Sequence, residues 1–162
     1  MIENKQVSII FVCMGNICRS PTAHGVFQAL VNEHKLNDAI GVESAGTHSY
    51  HIGSPPDLRS QATALKNDVN LSGLKARRFI REDFDKFDYI IGMDASNIAD
   101  IRSIEPDDHE ATVALMLDYS KKYSRKEVPD PYFGNDGFDM VFDMIEDASM
   151  GLLDHIRRKH NL

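Results

Sequence analysis

Residues Val7 to Val12 read Val-Ser-Ile-Ile-Phe-Val, β-branched or aromatic at every position but Ser8, and lead without a turn residue into Cys13. An apolar run that does not alternate with polar residues suits a strand buried on both faces, as in parallel sheets covered by helices. The apolar spacing then changes to steps of three and four at Ala23, Val26, Phe27, Leu30, Val31 and His34, one face of a helix. Ser20 is placed to be the N-cap of that helix and Pro21 its first residue. A buried strand feeding a helix through a short loop commits the chain to an α/β layout.

The alternation continues. Ala39 to Thr47 reads as a second strand, and after turn signals at Gly53 and Pro55-Pro56 a helical stripe follows at Leu58, Ala62, Leu65 and Val69. Phe87 to Met93 reads as a third strand, with caps for a short helix at Asp94-Ala95-Ser96-Asn97, and Thr112 to Leu117 as a fourth. A last helix carries Phe138, Val141, Phe142, Ile145, Ser149, Leu152 and Ile156 on one face. No repeat or composition break divides the 162 residues, so 1–162 is expected to form a single α/β domain, and 42% hydrophobic residues suffice for its core. One connection is out of scale: Tyr119 to Phe133 spans about 15 residues, where about two to six are usual. Long loops at the carboxyl ends of parallel strands are where ligand sites form.

The loop after the first strand is the stronger candidate. Cys13-Met14-Gly15-Asn16-Ile17-Cys18-Arg19-Ser20 runs from buried strand to helix start. Such a loop points several backbone N–H groups into one concavity, where the helix dipole adds positive charge. Gly15 is expected to supply backbone angles closed to other residues, and Arg19 a planar fork for two phosphate oxygens. A cysteine at a helix N-terminus beside an arginine is favoured as thiolate, the form that attacks phosphorus. Ser20 would offer its hydroxyl to that sulfur. Taken alone, Cys13 would be a small buried hydrophobe and Asp130, before Pro131, a turn former. Their company on these two loops changes the reading.

Composition narrows the partners. A net charge of −7 opposes non-specific binding to nucleic acid, and the only basic run, Arg157-Arg158-Lys159-His160, suits the negative end of the last helix. No apolar run is long enough to cross a membrane, and two cysteines in one short stretch do not make a secreted disulfide framework, so a cytoplasmic location is expected.

The Cys13–Arg19 spacing followed by Ser20-Pro21 resembles the active-site signature of the low-molecular-weight protein tyrosine phosphatases. The resemblance extends over most of the chain. It takes in Ser44-Ala45-Gly46-Thr47, Gly53-Ser54-Pro55-Pro56-Asp57, Phe87-Asp88-Tyr89-Ile90, Met93-Asp94-Ala95-Ser96-Asn97 and Asp130-Pro131-Tyr132-Phe133-Gly134. It implies a three-layer, flavodoxin-like domain with a four-stranded parallel sheet. It also implies hydrolysis of phosphotyrosine in protein substrates through a cysteinyl-phosphate, without metal or cofactor, with inorganic phosphate or vanadate as active-site ligands. On matching positions Cys13 is the nucleophile, Arg19 the phosphate ligand and Asp130 the general acid, while Asn16, Ser20 and Ser44 hold the loop. Tyr50 and Tyr132 match the walls flanking the substrate ring, and with Met14 and Ile17 they would form a slot suited to an aryl phosphate. Relatives acting on phosphoarginine carry Thr where this chain has Ile17, which favours tyrosine.

Three positions depart from the family pattern. Leu74 stands where a histidine commonly supports the loop asparagine, so Asn16 needs another partner. Phe133 replaces a second tyrosine, and His24 replaces an acidic residue. Cys18 is open to two readings, a packing thiol or a partner for Cys13 in a protective disulfide. Two rival functions lack residues they need or leave residues unexplained. An arsenate reductase needs a cysteine on a later loop, and none follows Cys18. A silent phosphate-binding module needs neither Cys13 nor Asp130.

Overall fold

The computed structural model describes residues 4–134 and 137–162. Strands β1 (Val7–Cys13), β2 (Ile40–Gly46), β3 (Tyr89–Gly92) and β4 (Thr112–Leu115) form one parallel sheet in the order β2-β1-β3-β4. Helices α1 (Arg19–Glu33), α2 (Leu58–Lys66), α3 (Asp83–Lys86), α4 (Ala95–Ser103) and α5 (Phe138–His160) cover it, and a 3-10 turn at Met116–Tyr119 follows β4. This is the flavodoxin-like α/β domain expected from the sequence.

The unalternating run explains the architecture. Val7, Ile9, Phe11 and Cys13 enter one core with residues of α1 and α5, while Ile10 and Val12 enter a second with Phe79, Phe84, Phe87 and Ile101. Val7, Ile9, Ile10, Phe11 and Val12 expose no surface, and full burial of each such side chain contributes about 1.5–3 kcal/mol. The chain steps from β1 to β2 on one side, then returns to β3 on the other. A crevice opens at the carboxyl ends of the strands where the order reverses, between β1 and β3. Residues following β1 and β3 therefore meet there.

Several boundaries differ from expectation. Helix α1 begins at Arg19, one residue before Ser20, and Cys18 holds the cap position without a side-chain cap bond. Strand β2 starts at Ile40 and stops at Gly46. Helix α2 stops at Lys66 because Asp68 takes φ +62, and Val69 packs against the core from the following turn. Met116 and Leu117 leave the sheet for the 3-10 turn, where the Asp118 carboxylate accepts from Leu115 N at 3.1 Å. Helix α3 carries no sequence signal that would have announced it. The basic run falls in the last turn of α5, as expected.

Candidate active site

The loop between β1 and α1 closes on itself. Asn16 takes φ +57, and its Nδ2 donates to Ser20 Oγ at 2.7 Å. Its Oδ1 accepts the Arg77 backbone N–H at 3.1 Å, which answers the loss of the histidine at position 74. Leu74 instead packs against the core. Gly15 does not carry the left-handed conformation assigned to it; Asn16 does, an angle Asn tolerates better than most residues. Gly15 is small for another reason: a Cβ there would stand 3.0 Å from the His51 ring.

Ser20 is not the helix cap. Its backbone N–H lies 3.4 Å from Cys13 Sγ and its Oγ 3.1 Å from the same sulfur. The hydroxyl proton has two acceptors in reach, that sulfur and Ala45 O at 3.3 Å. The helix starts two residues earlier than a Ser20 cap would allow, and within it the Ser20 N–H and hydroxyl face the thiol.

Arg19 is buried yet multiply held. Its Nη1 donates to Asp94 Oδ2 at 2.6 Å and to Val128 O at 3.1 Å, and its Nη2 lies 3.6 Å from Asp130 Oδ2. Burial alone would lower its pKa, but Cys13, Asp94 and Asp130 more than offset that, so the guanidinium stays charged. Arg19 Nε has no hydrogen-bond partner among the described residues. A buried, unpaired donor costs about 1–3 kcal/mol, a cost an oxyanion oxygen would remove. Asp94, read from the sequence only as a cap, does both tasks: one oxygen accepts Asn97 N at 2.8 Å and the other holds Arg19.

Cys13, Met14, Gly15, Ile17, Cys18, Arg19, Tyr50, Asp130 and Tyr132 line one pocket of about 210 Å³, joined by His51 and Phe133. Every candidate from the two loops except Asn16 and Ser20 reaches this lining, and those two brace it from behind. Tyr50 is 80% exposed and stacked on His48, with ring centroids 5.6 Å apart, while Tyr132 meets Phe133 edge-on at 5.1 Å. Ser44 lies apart from the loop side chains: its hydroxyl pairs with His24 Nδ1 at 3.0 Å. Burial pushes the Cys18 thiol up to about 12, so at neutral pH it is a protonated packing group beside Ile17, Ala76 and Phe138. No cluster of three or more potential metal ligands occurs among the described residues, and no described helix is long and apolar enough to cross a membrane.

A parallel sheet whose β1–α1 loop closes at the switch point, with the Cys13 thiol, the Arg19 guanidinium and the Asp130 carboxylate on one pocket, defines an α/β protein with its candidate chemistry at the carboxyl ends of the strands. The sequence profile of the family described as low molecular weight phosphotyrosine protein phosphatase matches residues 8–162. The Bacillus subtilis low molecular weight protein-tyrosine-phosphatase YfkJ is 38% identical over 157 residues, 96% of this chain and 99% of its own. The crystal structure of YfkJ superposes with a TM-score of 0.90 at 36% identity, covering 97% of this chain and 98% of that one. The mouse low molecular weight phosphotyrosine protein phosphatase is 39% identical over 145 residues, 88% of this chain and 90% of its own. A protein tyrosine phosphatase from Entamoeba histolytica, solved with Hepes in the active site, gives a TM-score of 0.89 at 34% identity over 96% of this chain and 99% of that one. The chain belongs to the low molecular weight phosphotyrosine protein phosphatase family and is a phosphatase.

Proposed function

We propose that residues 1–162 act as one phosphatase domain that hydrolyses phosphotyrosine and other aryl phosphates through a cysteinyl-phosphate. The observation that carries this reading is the shared pocket of Cys13, Arg19 and Asp130. The phosphoryl group enters the loop, where backbone N–H groups and the Arg19 guanidinium take its oxygens. Cys13 attacks as thiolate; the S–P bond forms as the P–O bond to the phenol breaks. Asp130 donates its proton to the departing oxygen, because a phenolate, with a conjugate-acid pKa of about 10, leaves more easily when protonated. The Asp130 carboxylate then takes a proton from water, which attacks phosphorus, and the S–P bond breaks. The released thiolate is received by the Ser20 N–H and hydroxyl, while Asn16 keeps the loop in shape. Ser44 holds its strand position from beneath, and Cys18 packs the loop.

The aromatic walls Tyr50 and Tyr132, with Met14 and Ile17, favour an aryl phosphate in a tyrosine-phosphorylated protein. Inorganic phosphate and vanadate fit the same loop, in keeping with Hepes, a sulfonate, in the Entamoeba relative. Two cysteines on one loop suit the reducing cytoplasm.

Steady-state hydrolysis of phenyl phosphate and 2,4-dinitrophenyl phosphate tests the assignments together. Cys13→Ser is expected to abolish turnover of both while retaining vanadate binding. Asp130→Ala is expected to lower kcat/KM, which reports the step that expels the phenol, about 100-fold or more on phenyl phosphate and far less on the dinitrophenyl ester. Normal turnover by Cys13→Ser would end the covalent route, and equal losses on the two esters would remove Asp130 as the acid.

A further inference from the structure

Among the described residues, the segment carrying Asp130 has no helix or strand between the 3-10 turn and α5 to hold it over the pocket. We propose that Asp57 and Arg59 form a positioning pair that fixes this segment relative to the Cys13 loop and so sets how well Asp130 protonates the leaving group. The inference rests on the general-acid reading of Asp130.

The pair is anchored at one end on the phosphate loop. Asp57 N donates to Ile17 O at 2.8 Å, and the Asp57 carboxylate caps α2 by accepting Arg59 N at 2.8 Å. The same carboxylate accepts Arg59 Nε and Nη2, each at 3.0 Å. The guanidinium then reaches across to the acid segment. Its Nη1 donates to Gly134 O at 2.6 Å and its Nη2 to Tyr132 O at 3.0 Å. It also lies 4.7 Å from the Phe138 ring centroid at the start of α5 and 5.7 Å from that of Tyr132. Asp130 is tied to these carbonyls through its own turn, its Oδ1 accepting Tyr132 N at 3.1 Å.

The chemistry calls for an arginine. A planar fork of five N–H donors can serve both oxygens of one carboxylate and two carbonyls at once, which the point charge of a lysine cannot. Neither Asp57 nor Arg59 lines the pocket, so the pair acts through the segment rather than on substrate. Proton transfer depends steeply on geometry, and a displacement of about 1 Å can cost about 100-fold.

The test compares Arg59→Ala with the parent enzyme on phenyl phosphate and 2,4-dinitrophenyl phosphate. The expected result is a kcat/KM loss of about 10-fold or more on the phenyl ester and about twofold or less on the dinitrophenyl ester, since kcat/KM reports the step in which the phenol leaves. In an Asp130→Ala background the same substitution should cost about twofold or less, since the proton it helps deliver is gone. Asp57→Asn keeps a capping side chain but weakens the pair, and should show a smaller loss with the same selectivity. It provides the reading if Arg59→Ala fails to fold. Equal losses on both esters, or a cost undiminished without Asp130, would overturn the pair's role and leave the acid assignment standing. A failure of Asp130→Ala itself to discriminate the esters would overturn both.

Discussion

The two loops that frame the pocket are held by opposite means. The phosphate loop is closed by its own backbone and near neighbours: Thr47 N donates to Cys13 O at 2.9 Å, His48 N to Met14 O at 3.0 Å, and Asn16 braces both Ser20 and Arg77. Apart from one backbone bond, Val128 N to Met93 O at 2.9 Å, the acid segment is held mainly through side chains, three from elsewhere and its own Glu127. Asp147 of α5 accepts Ser120 Oγ and the backbone N–H groups of Lys121 and Lys122, and Glu127 Oε2 accepts Ala95 N at 2.7 Å at the head of α4. Arg19 takes Val128 O, and Arg59 takes the carbonyls of Tyr132 and Gly134. On the proposed mechanism the first loop must fit one anion, whereas Asp130 must reach leaving groups that differ from ester to ester. Damage to the first loop should therefore slow every substrate alike, and damage to the second only those that need an acid.

Gly46→Ala is the sharpest way to strike the stiff loop without touching a reacting group. An added Cβ would stand 2.8 Å from Met14 O and 3.1 Å from Asn16 N, both backbone atoms that cannot swing aside. Overpacking of this kind costs about 1–3 kcal/mol, and the displaced loop should lose about 10- to 100-fold in kcat/KM on phenyl and dinitrophenyl esters equally. Kinetics on both esters with a thermal melt would check this, and a loss confined to the phenyl ester would break the contrast between the loops.

The phosphate loop also seals Cys18. With its thiol near 12, the thiolate fraction rises about tenfold per pH unit across neutrality. Closure of a Cys13–Cys18 disulfide after peroxide converts Cys13 to its sulfenic acid should accelerate by about the same factor per unit, as read by mass spectrometry of quenched samples. A rate independent of pH between 7 and 9 would show that Cys18 is not the attacking thiol. On the other side of the pocket, Asp147→Ala should lower kcat/KM on the phenyl ester only a few-fold and leave the dinitrophenyl ester unchanged, since the attachments through Glu127, Val128, Arg19 and Arg59 remain. Equal slowing of both would contradict the division.

The same contrast explains what was legible from the residues. The strand-loop-helix opening, the sheet and the lining residues of the phosphate loop are local in sequence, so a buried run and a spacing of six between Cys13 and Arg19 were enough to place them. What depends on distant partners was not legible. Asp94 was visible as a cap but not as a partner of a residue 75 positions away, and the links from Arg59 to Tyr132 and Gly134 join elements with no shared pattern. Two local readings also failed. At Ser20, nothing in the residue type separates a hydroxyl turned to the helix from one turned to a thiol. Gly15 was assigned the conformation Asn16 adopts, because two adjacent residues both tolerate it.

His24 offers the mildest test, between α1 and β2 and away from both loops. Burial pushes its imidazole down to about 4, and its Nδ1 meets the Ser44 hydroxyl at 3.0 Å. In the unfolded chain the same group titrates near 6.5, so between about pH 6.5 and 4 the unfolded state binds the extra proton. Stability must then fall as pH drops through that window and level off below it, a loss of about 1–3 kcal/mol from this residue. His155, also lowered by burial, contributes in the same direction, so the comparison has to be differential. Denaturant melts of the parent and of His24→Gln at pH 7 and pH 4.5 isolate the residue. The parent should lose more stability than the variant over that interval. Equal losses would mean that His24 is already as hydrated in the fold as in the open chain.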